Sequence, residues 1–269
     1  MVELKSKYKI GVRRFNFNWI GTYSLYKKET LRFLNVFGQT VVGPIITAIL
    51  FLLVISLAIG ESREGVLGVS FIEFLAPGLI AMQVIQQAFS HSSSSLLMGK
   101  VMGNIVDIIG APLSASEVTI AIIFAAITRG IIISLISIII FSFVIEIKIN
   151  NYLIFTIYLF LSSFIMGTAG FIAGLWADKF DNMATVTNFV IVPLSFLSGT
   201  FYSVERLPDI LKSLSFYNPF FHMIDGFRYS IINEMDGSIN FGILYLSIIS
   251  ILIWLFAYYL YKSGYKIKS

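Results

Sequence analysis

The residues of this chain that could do chemistry are concentrated in one aromatic stretch, residues 215–237, which reads SFYNPFFHMIDGFRYSIINEMDG. His222, Asp225 and Arg228 recur there at every third position, which brings them towards one face of a helix. A histidine, a carboxylate and a guanidinium supply the groups for acid–base work on a lipid head group or for binding a polar substrate. The stretch could equally be the polar side of a segment that lies at a membrane surface.

Other patterns that carry chemistry are missing from the sequence. It has no cysteine, and its two histidines, His91 and His222, lie far apart without a Glu-x-x-His partner. The serines of HSSSSLL, residues 91–97, lack the positioned base and oxyanion pocket that a nucleophile needs, so we expect them to cap or hydrate a helix end. No Walker A pattern occurs, so any nucleotide chemistry must belong to another chain. We therefore predict no catalytic residue, no metal site and no cofactor in this chain.

The elements that position these residues must be membrane helices. Of the 269 residues, 57% are hydrophobic and 13% are charged, and the mean hydropathy is +0.86. Soluble domains carry about a quarter charged residues, so this chain needs lipid as its solvent. The apolar runs are continuous, whereas the strands of a membrane β-barrel alternate in short pieces. The sequence predicts an all-α integral membrane protein.

Windows with almost no charge mark the membrane spans. Each is long enough to cross a bilayer as a helix, in which the backbone groups bond internally. We predict six transmembrane helices in a single domain, residues 19–262. The predicted spans are about 38–60, 72–97, 117–145, 151–176, 184–204 and 238–261.

Lysine and arginine are concentrated at both ends of the chain, which predicts its orientation. With six spans both ends lie on one side, and the positive-inside rule makes that side the cytoplasm. Residues 1–18 are then a basic cytoplasmic N-terminus and residues 263–269 a cytoplasmic tail. The basic residues are Lys5, Lys7, Lys9, Arg13, Arg14, Lys27, Lys28 and Arg32 before the first span, and Lys262, Lys266 and Lys268 around the end of the last.

Residues 19–37 have the pattern of an amphipathic helix. At 100° per residue an aromatic face opposes a polar one, with Glu29 at the edge of the polar face, which suits a helix lying in the headgroup layer. The aromatic face contains Trp19, Tyr23, Tyr26, Phe33, Leu34 and Phe37, and the polar face contains Ser24, Lys28, Arg32 and Asn35.

Two further features lie within the spans. Arg129 is a cation at membrane depth, which either faces the protein interior with a functional role or reaches the cytoplasmic surface and nearby helix-end carbonyls. Gly167, Gly170 and Gly174 follow a small-residue spacing that lets helix backbones approach closely. We expect these glycines to pack within the subunit, with a dimer contact as the alternative.

At this point the sequence resembles the permease subunits of ABC-2-type ATP-binding-cassette transporters, chiefly bacterial exporters. The resemblance extends over about residues 20–262, and its landmarks occur in the family's order. They are KKETLRFLNVFGQTVVGPIITAILFL at 27–52, FLAPGLIAM at 74–82, VDIIGAPLSASEV at 106–118, TRG at 128–130, FDNMATVTNFVIVPLSFLSGTFYSVERLP at 180–208 and YNPFFHMIDGFRYSI at 217–231.

The resemblance implies a six-helix subunit that dimerises and pairs with a cytoplasmic ATPase subunit, which binds the ATP and magnesium. An interfacial helix would correspond to residues 19–37, a coupling helix to about 98–112, and an outward re-entrant segment between spans five and six to about 205–231. The pathway would form at the dimer interface near the first, second and fifth spans. Membrane lipids are expected partners, and nucleic acid is not.

From this resemblance we assign coupling roles by position, and we choose pathway residues because they supply polar or aromatic groups on the second and fifth spans. Asp107 stands where many family members show two adjacent acids, so one acid is missing from this surface. The candidate coupling residues are Lys28, Glu29, Arg32, Asp107, Ala111, Pro112 and Glu117. The candidate pathway residues are Phe74, Gln83, Gln86, Asn188 and Phe196, and those of a re-entrant exit lid are Asn218, Pro219, His222, Asp225 and Arg228.

The leading hypothesis is an exporter permease for a lipidic, glycolipid-like or other hydrophobic cargo. The alternative is an integral-membrane enzyme that modifies lipids with the 222–228 cluster. A secondary transporter is a third class, but inverted repeats and membrane-buried carboxylates are not evident in the sequence.

Overall fold

The structure, a computed structural model, describes residues 17–59 and 65–267. Most of the predicted basic N-terminus (residues 1–16) lies outside these ranges, as do residues 60–64 between the first and second spans and Lys268 in the tail. Within the described ranges the ordered elements are helices, apart from one isolated bridge between Val66 and Val69. The α-helices there are α1 Trp19–Leu34, α2 Gly43–Ile59, α3 Phe71–Val101, α4 Ile105–Gly110, α5 Ala115–Phe141, α6 Tyr152–Trp176, α7 Phe180–Val186, α8 Val192–Ser195, α9 Asp209–Tyr217, α10 Pro219–Ile232 and α11 Ile239–Lys262.

Six stretches of the described chain are helical, long and apolar enough to cross a membrane, which confirms the predicted all-α class and the number of spans. We call the end of the bundle that carries α1 and α4 proximal, and the end that carries α9 and α10 distal. The six spans are Gly38–Ala58, Phe71–Val101, Ala115–Phe141, Tyr152–Trp176, Phe180–Thr200 and Ile239–Lys262.

Capping side chains fix where the second, third and fourth spans begin. Ser70 and Ser114 each form a capping box with the glutamate three residues later, so two otherwise unpaired donors are satisfied at each helix start. Asn151 caps α6 by accepting from the Ile154 amide at 3.1 Å. These long helices therefore start at points that the local sequence specifies.

The first and fifth spans are less regular than the others. Each contains a wide π-helical turn, at Gly38–Val42 in the first span and at Thr187–Ile191 in the fifth. The fifth span also has a kink within Phe196–Thr200, where Ser198 and Gly199 leave the helical conformation. The turn and the kink of the fifth span flank Pro193, which has no backbone donor and clashes with the preceding turn of a regular helix. Such turns are often found at functional sites.

Glycines let α6 lie against its neighbours in the same subunit, as predicted. A Cβ atom at Gly170 would overlap the Phe89 carbonyl oxygen of α3, and one at Gly174 would stand 2.8 Å from the Ser93 oxygen. One at Gly167 would stand 3.0 Å from the Ala126 Cβ of α5. Close backbone approach therefore holds the second, third and fourth spans together.

The outer faces of the bundle belong to the first, fifth and sixth spans. Only 22, 33 and 17% of their most apolar windows is buried within the single chain. Broad apolar faces of this kind must be covered by lipid or by another protein.

The structure corrects one detail of the amphipathic pattern predicted for α1. Phe33 of the aromatic face and Glu29 of the polar edge are both buried, whereas Trp19 and Tyr23 are 74% and 63% exposed. The reason is that α1 packs along the first half of α5, where the Tyr26 hydroxyl lies 2.9 Å from the Thr128 hydroxyl. Tertiary packing therefore buries one residue of the predicted aromatic face and one at the edge of the polar face, while Trp19 and Tyr23 stay exposed.

Candidate functional site

Helix α4 exposes one small face at the proximal end, and we name this candidate surface the docking face. Its Ile105 and Ile108 are buried, while Val106 and Ile109 are 66% and 37% exposed. Asp107 is exposed between them, and within the described part of the chain no ion pair joins it. Exposed apolar side chains around one carboxylate, beyond the end of the second span, are the chemistry of a protein contact.

Glu117, a candidate coupling residue, is fully buried behind this face. One carboxylate oxygen accepts from the Asn18 amide at 2.5 Å and the other accepts from the Ser114 amide at 2.7 Å. The Asn18 side chain also donates to the Pro112 carbonyl at 3.3 Å. Glu117 therefore joins the start of α1 to the loop between α4 and α5, and any role it has in coupling is indirect.

Glu29 and Arg32 join α1 to the second span. The Glu29 carboxylate accepts from Arg32 at 2.9 Å and from the Ser95 hydroxyl at 2.7 Å. The Arg32 guanidinium also donates to the His91 carbonyl at 2.9 Å. Of the three candidate coupling residues on α1, Lys28 alone has an exposed side chain. In the loop after α4, Pro112 is exposed and Ala111 is half-buried.

Arg129 lies at the level where the first span begins. Its guanidinium donates to the Thr40 carbonyl at 3.0 Å and to the Gln87 side-chain oxygen, and the residue is only 4% exposed. Thr40 belongs to the π-helical turn that opens the first span. Of the two alternatives that the sequence leaves open, the geometry favours a structural role in which the buried Arg129 satisfies the Thr40 backbone carbonyl and the Gln87 side chain.

Two lysines converge on the proximal end of α6. Lys100 donates to the Leu175 carbonyl at 2.8 Å, and Lys266 donates to the Trp176 carbonyl at 3.0 Å and to Asp178 at 2.7 Å. Cations there satisfy carbonyls that a helix end leaves unpaired. The hydrogen bond between Lys266 and Asp178 raises the pKa of Lys266 and lowers the pKa of Asp178. The ion pair is therefore lost only as the pH falls through the depressed carboxyl pKa or rises through the raised lysine pKa.

The stretch that first suggested chemistry forms α10, which is buried in the distal part of the bundle. Asp225 accepts from the Asp236 and Gly237 amides at 2.9 and 2.8 Å, and its carboxylate lies 3.8 Å from the Arg228 guanidinium. Arg228 is fully buried, donates to the Gly199 carbonyl at 2.7 Å and lies over the Phe74 ring. These contacts join α10 to the second span, to the fifth span and to the start of the sixth.

His222 takes no part in that network. Its ring is bonded to the Phe216 carbonyl at 2.8 Å and packs against the rings of Phe241 and Tyr245. Asp225 and His222 are thus committed to structural partners, so the geometry gives no support to a lipid-modifying active site. Asn218 caps α10 by accepting from the Phe220 amide, and Pro219 is its first residue.

The candidate pathway residues fall into two groups. Asn188 is exposed and Phe196 is 41% exposed on the fifth span, where the Phe196 ring stacks on Phe201, which in turn contacts Phe51 of the first span. In contrast, Phe74 and Gln83 are buried inside the subunit and Gln86 is half-buried. The exposed group therefore lies on the outer face of the single chain.

Sequence reasoning missed several residues that hold these sites together. The Asp236 carboxylate accepts from the Val204 amide at 3.0 Å and from the Ser203 hydroxyl, and thereby connects the loop after the fifth span to the start of the sixth. Asn18 and Ser95 hold α1 in a similar way: Asn18 joins the start of α1 to Glu117 of α5, and Ser95 joins Glu29 of α1 to α3. No local motif marks such partners, because each pair joins positions that are distant in the sequence.

Comparison with known proteins adds to this geometry. The family model described as ABC-2 type transporter matches residues 21–232. The protein named inner membrane transport permease YadH from Escherichia coli K12 is 30% identical over 253 residues, which cover 93% of this chain and 98% of that protein. The protein of the same name from Shigella flexneri matches to the same extent. With six candidate membrane spans and this match over most of its length, the chain belongs to the ABC-2 type transporter family.

Proposed function

We propose that this protein is the inner-membrane permease subunit of an ATP-binding-cassette exporter, driven by a separate ATPase chain that binds ATP and magnesium. Two copies form the pathway, the proximal end faces the cytoplasm, and the segment from α9 to α10 is the outward re-entrant element. The chain itself performs no catalysis. The observation that carries the proposal is the exposed docking face of α4 in a member of this family.

The docking face suits an ATPase partner in both position and chemistry. Val106 and Ile109 are exposed just after the end of the second span, where a protein interface with an apolar centre would cover them. The exposed Asp107 lies between them and offers a charge for a basic partner side chain.

The contacts behind the docking face connect α4 to the first three spans, so a movement of α4 can reach them. Helix α4 lies between the second and third spans, so its displacement acts on both. Glu117 transmits it to the start of α1, and the Glu29 and Arg32 bonds keep α1 on the second span. Arg129 holds the irregular turn after α1, where the first span begins. Docking at α4 thereby acts on the first three spans.

The distal end supports a hydrophobic cargo. An open and mainly apolar groove of about 490 Å³ lies between the end of the fifth span and α9. Helix α9 also exposes Ile210 and Leu214 at 76% and 61%. A lipidic or glycolipid-like molecule leaving the pathway would meet an apolar surface here; the groove is lined by Leu194, Leu197, Tyr202, Leu207, Leu211, Leu214, Ser215, Tyr217, Asn218 and Pro219.

Charge reversal at Asp107 tests the docking face. Asp107→Arg should lower co-purification with the ATPase, or cargo-coupled ATP hydrolysis, by about tenfold, because a like charge replaces an attractive one at the interface. Membrane insertion should survive, since Asp107 is exposed. Glu234→Arg, an exposed acid at the distal end, is the matched control and should leave both readouts unchanged. Equal coupling in the two variants would remove Asp107 from the interface.

A further inference from the structure

The segment after α11 folds back towards the docking face instead of leaving the molecule. The amides of Gly264 and Tyr265 donate to the carbonyls of Tyr261 and Leu260 at 3.1 and 3.2 Å, which is the bonding pattern of a Schellman motif. Gly264 adopts the left-handed backbone conformation that the motif requires, with φ at 74°. We call residues 263–267 the strap.

Lys266 anchors the strap to the turn between the fourth and fifth spans. Its ammonium group donates to the Trp176 carbonyl and to Asp178, and it lies 5.8 Å from the Trp176 ring. Lys266 also has a positive φ of 48°, which is unfavourable for a residue with a side chain. Such a conformation persists where surrounding contacts determine it, and the anchor supplies them.

Ile267 places the strap against α4. Its side chain is 8% exposed and belongs to the same buried cluster as Ile105 and Ile108 of α4. The cluster also includes Leu25 of α1 and Leu175 of α6. The strap and α4 also line one groove of about 320 Å³, so α4 is not packed tightly on that side. The packing of the buried face of α4, which has only six residues, thus depends on a few neighbouring side chains, one of which is Ile267.

We infer that Lys266 and Ile267 are positioning residues that hold the docking helix α4 in register with the turn into the fifth span. The inference rests on the proposed function, because it makes the strap a second connection between ATPase docking and the pathway. Movement of α4 would then act on the fifth span through Ile267, Lys266 and Asp178, in parallel with the route through α1 to the first span.

Hydrogen exchange on the purified full chain in lipid nanodiscs tests the inference without the ATPase. In Lys266→Ala/Ile267→Ser, the amides of residues 105–110 should exchange roughly tenfold faster, because loss of one buried isoleucine and one anchor favours local opening by about that factor. The amides in the middle of α3 and α5 should not change. The conservative variant Lys266→Arg/Ile267→Val should stay within about twofold of the unaltered chain.

Two further variants make the result specific. Ser263→Ala changes the strap at an exposed residue whose hydroxyl bonds only within α11 and the strap, and it should have no effect. Asp178→Asn removes the ion pairs of Lys266 and Lys100 with this turn but leaves the bond of Lys266 to the Trp176 carbonyl, so it should accelerate exchange in the same six residues to a smaller extent. Unchanged exchange at 105–110 in the double variant, or an equal rise in every span, would overturn the positioning role. Failure of the proposed function would appear separately, as absence of an ATPase from complexes of the unaltered chain.

Discussion

Gly170→Ala is expected to remove most of the folded permease, although alanine is the better helix former by about 1 kcal/mol. A Cβ atom at this position would overlap the Phe89 carbonyl oxygen and stand 2.9 Å from its carbon. Both are backbone atoms of α3, so no side-chain rotation relieves the clash and the two helices must separate. Overpacking of this kind costs about 3 kcal/mol or more where the backbone cannot move.

The matched control makes the same chemical change in open space. Gly38→Ala meets no atom within 4 Å and should be close to neutral. Both variants are to be compared by the yield of monodisperse protein on size exclusion in detergent and by the thermal unfolding midpoint. Similar behaviour of the two would mean that α3 and α6 do not approach as closely as described.

Asp225→Ala is expected to be the most destabilising change in the stretch that opened the sequence analysis. It leaves Arg228 buried without its counter-ion and leaves the Asp236 and Gly237 amides without their acceptor. Breaking a buried ion pair from one side costs about 3–5 kcal/mol. For a chain of this size the unfolding midpoint should fall by about 10 °C.

Two companion variants separate this mechanism from a general loss of polarity. Glu234→Ala removes an exposed acid of the same connection and should be near neutral. Asp225→Ala/Arg228→Met should be more stable than Asp225→Ala alone, because it removes the uncompensated charge. A double variant that is no better than the single one would show that Arg228 does not need Asp225.

The spans and their packing faces were predictable because their signals are local. A helix that crosses a membrane must be a long apolar run, and the charge-free windows mark all six. Small-residue spacing likewise identifies Gly167, Gly170 and Gly174 as contact positions, since close approach needs them whichever helix they meet.

The burial of α10 was not predictable in this way. His222, Asp225 and Arg228 have the composition of an interfacial helix, and their burial depends on partners such as Gly199, which lies 29 residues from Arg228. Glu29 is a similar case, because its acceptor role depends on Ser95 of another helix. Sequence spacing gives the face of a helix but not the neighbour that covers it.

Ile267 shows the same limit at the proximal end. One isoleucine among lysines after a span has the pattern of a solvated tail, yet its side chain joins the cluster beneath α4. The Schellman motif explains how, because it reverses the chain directly after α11.

Gentle purification of the unaltered chain from its native membranes tests the central proposal most directly. We predict that a P-loop ATPase co-purifies in stoichiometric amount and that the chain alone has no lipid-modifying activity. Repeated isolation of the chain without an ATPase, with lipid-modifying activity intact, would contradict the proposal.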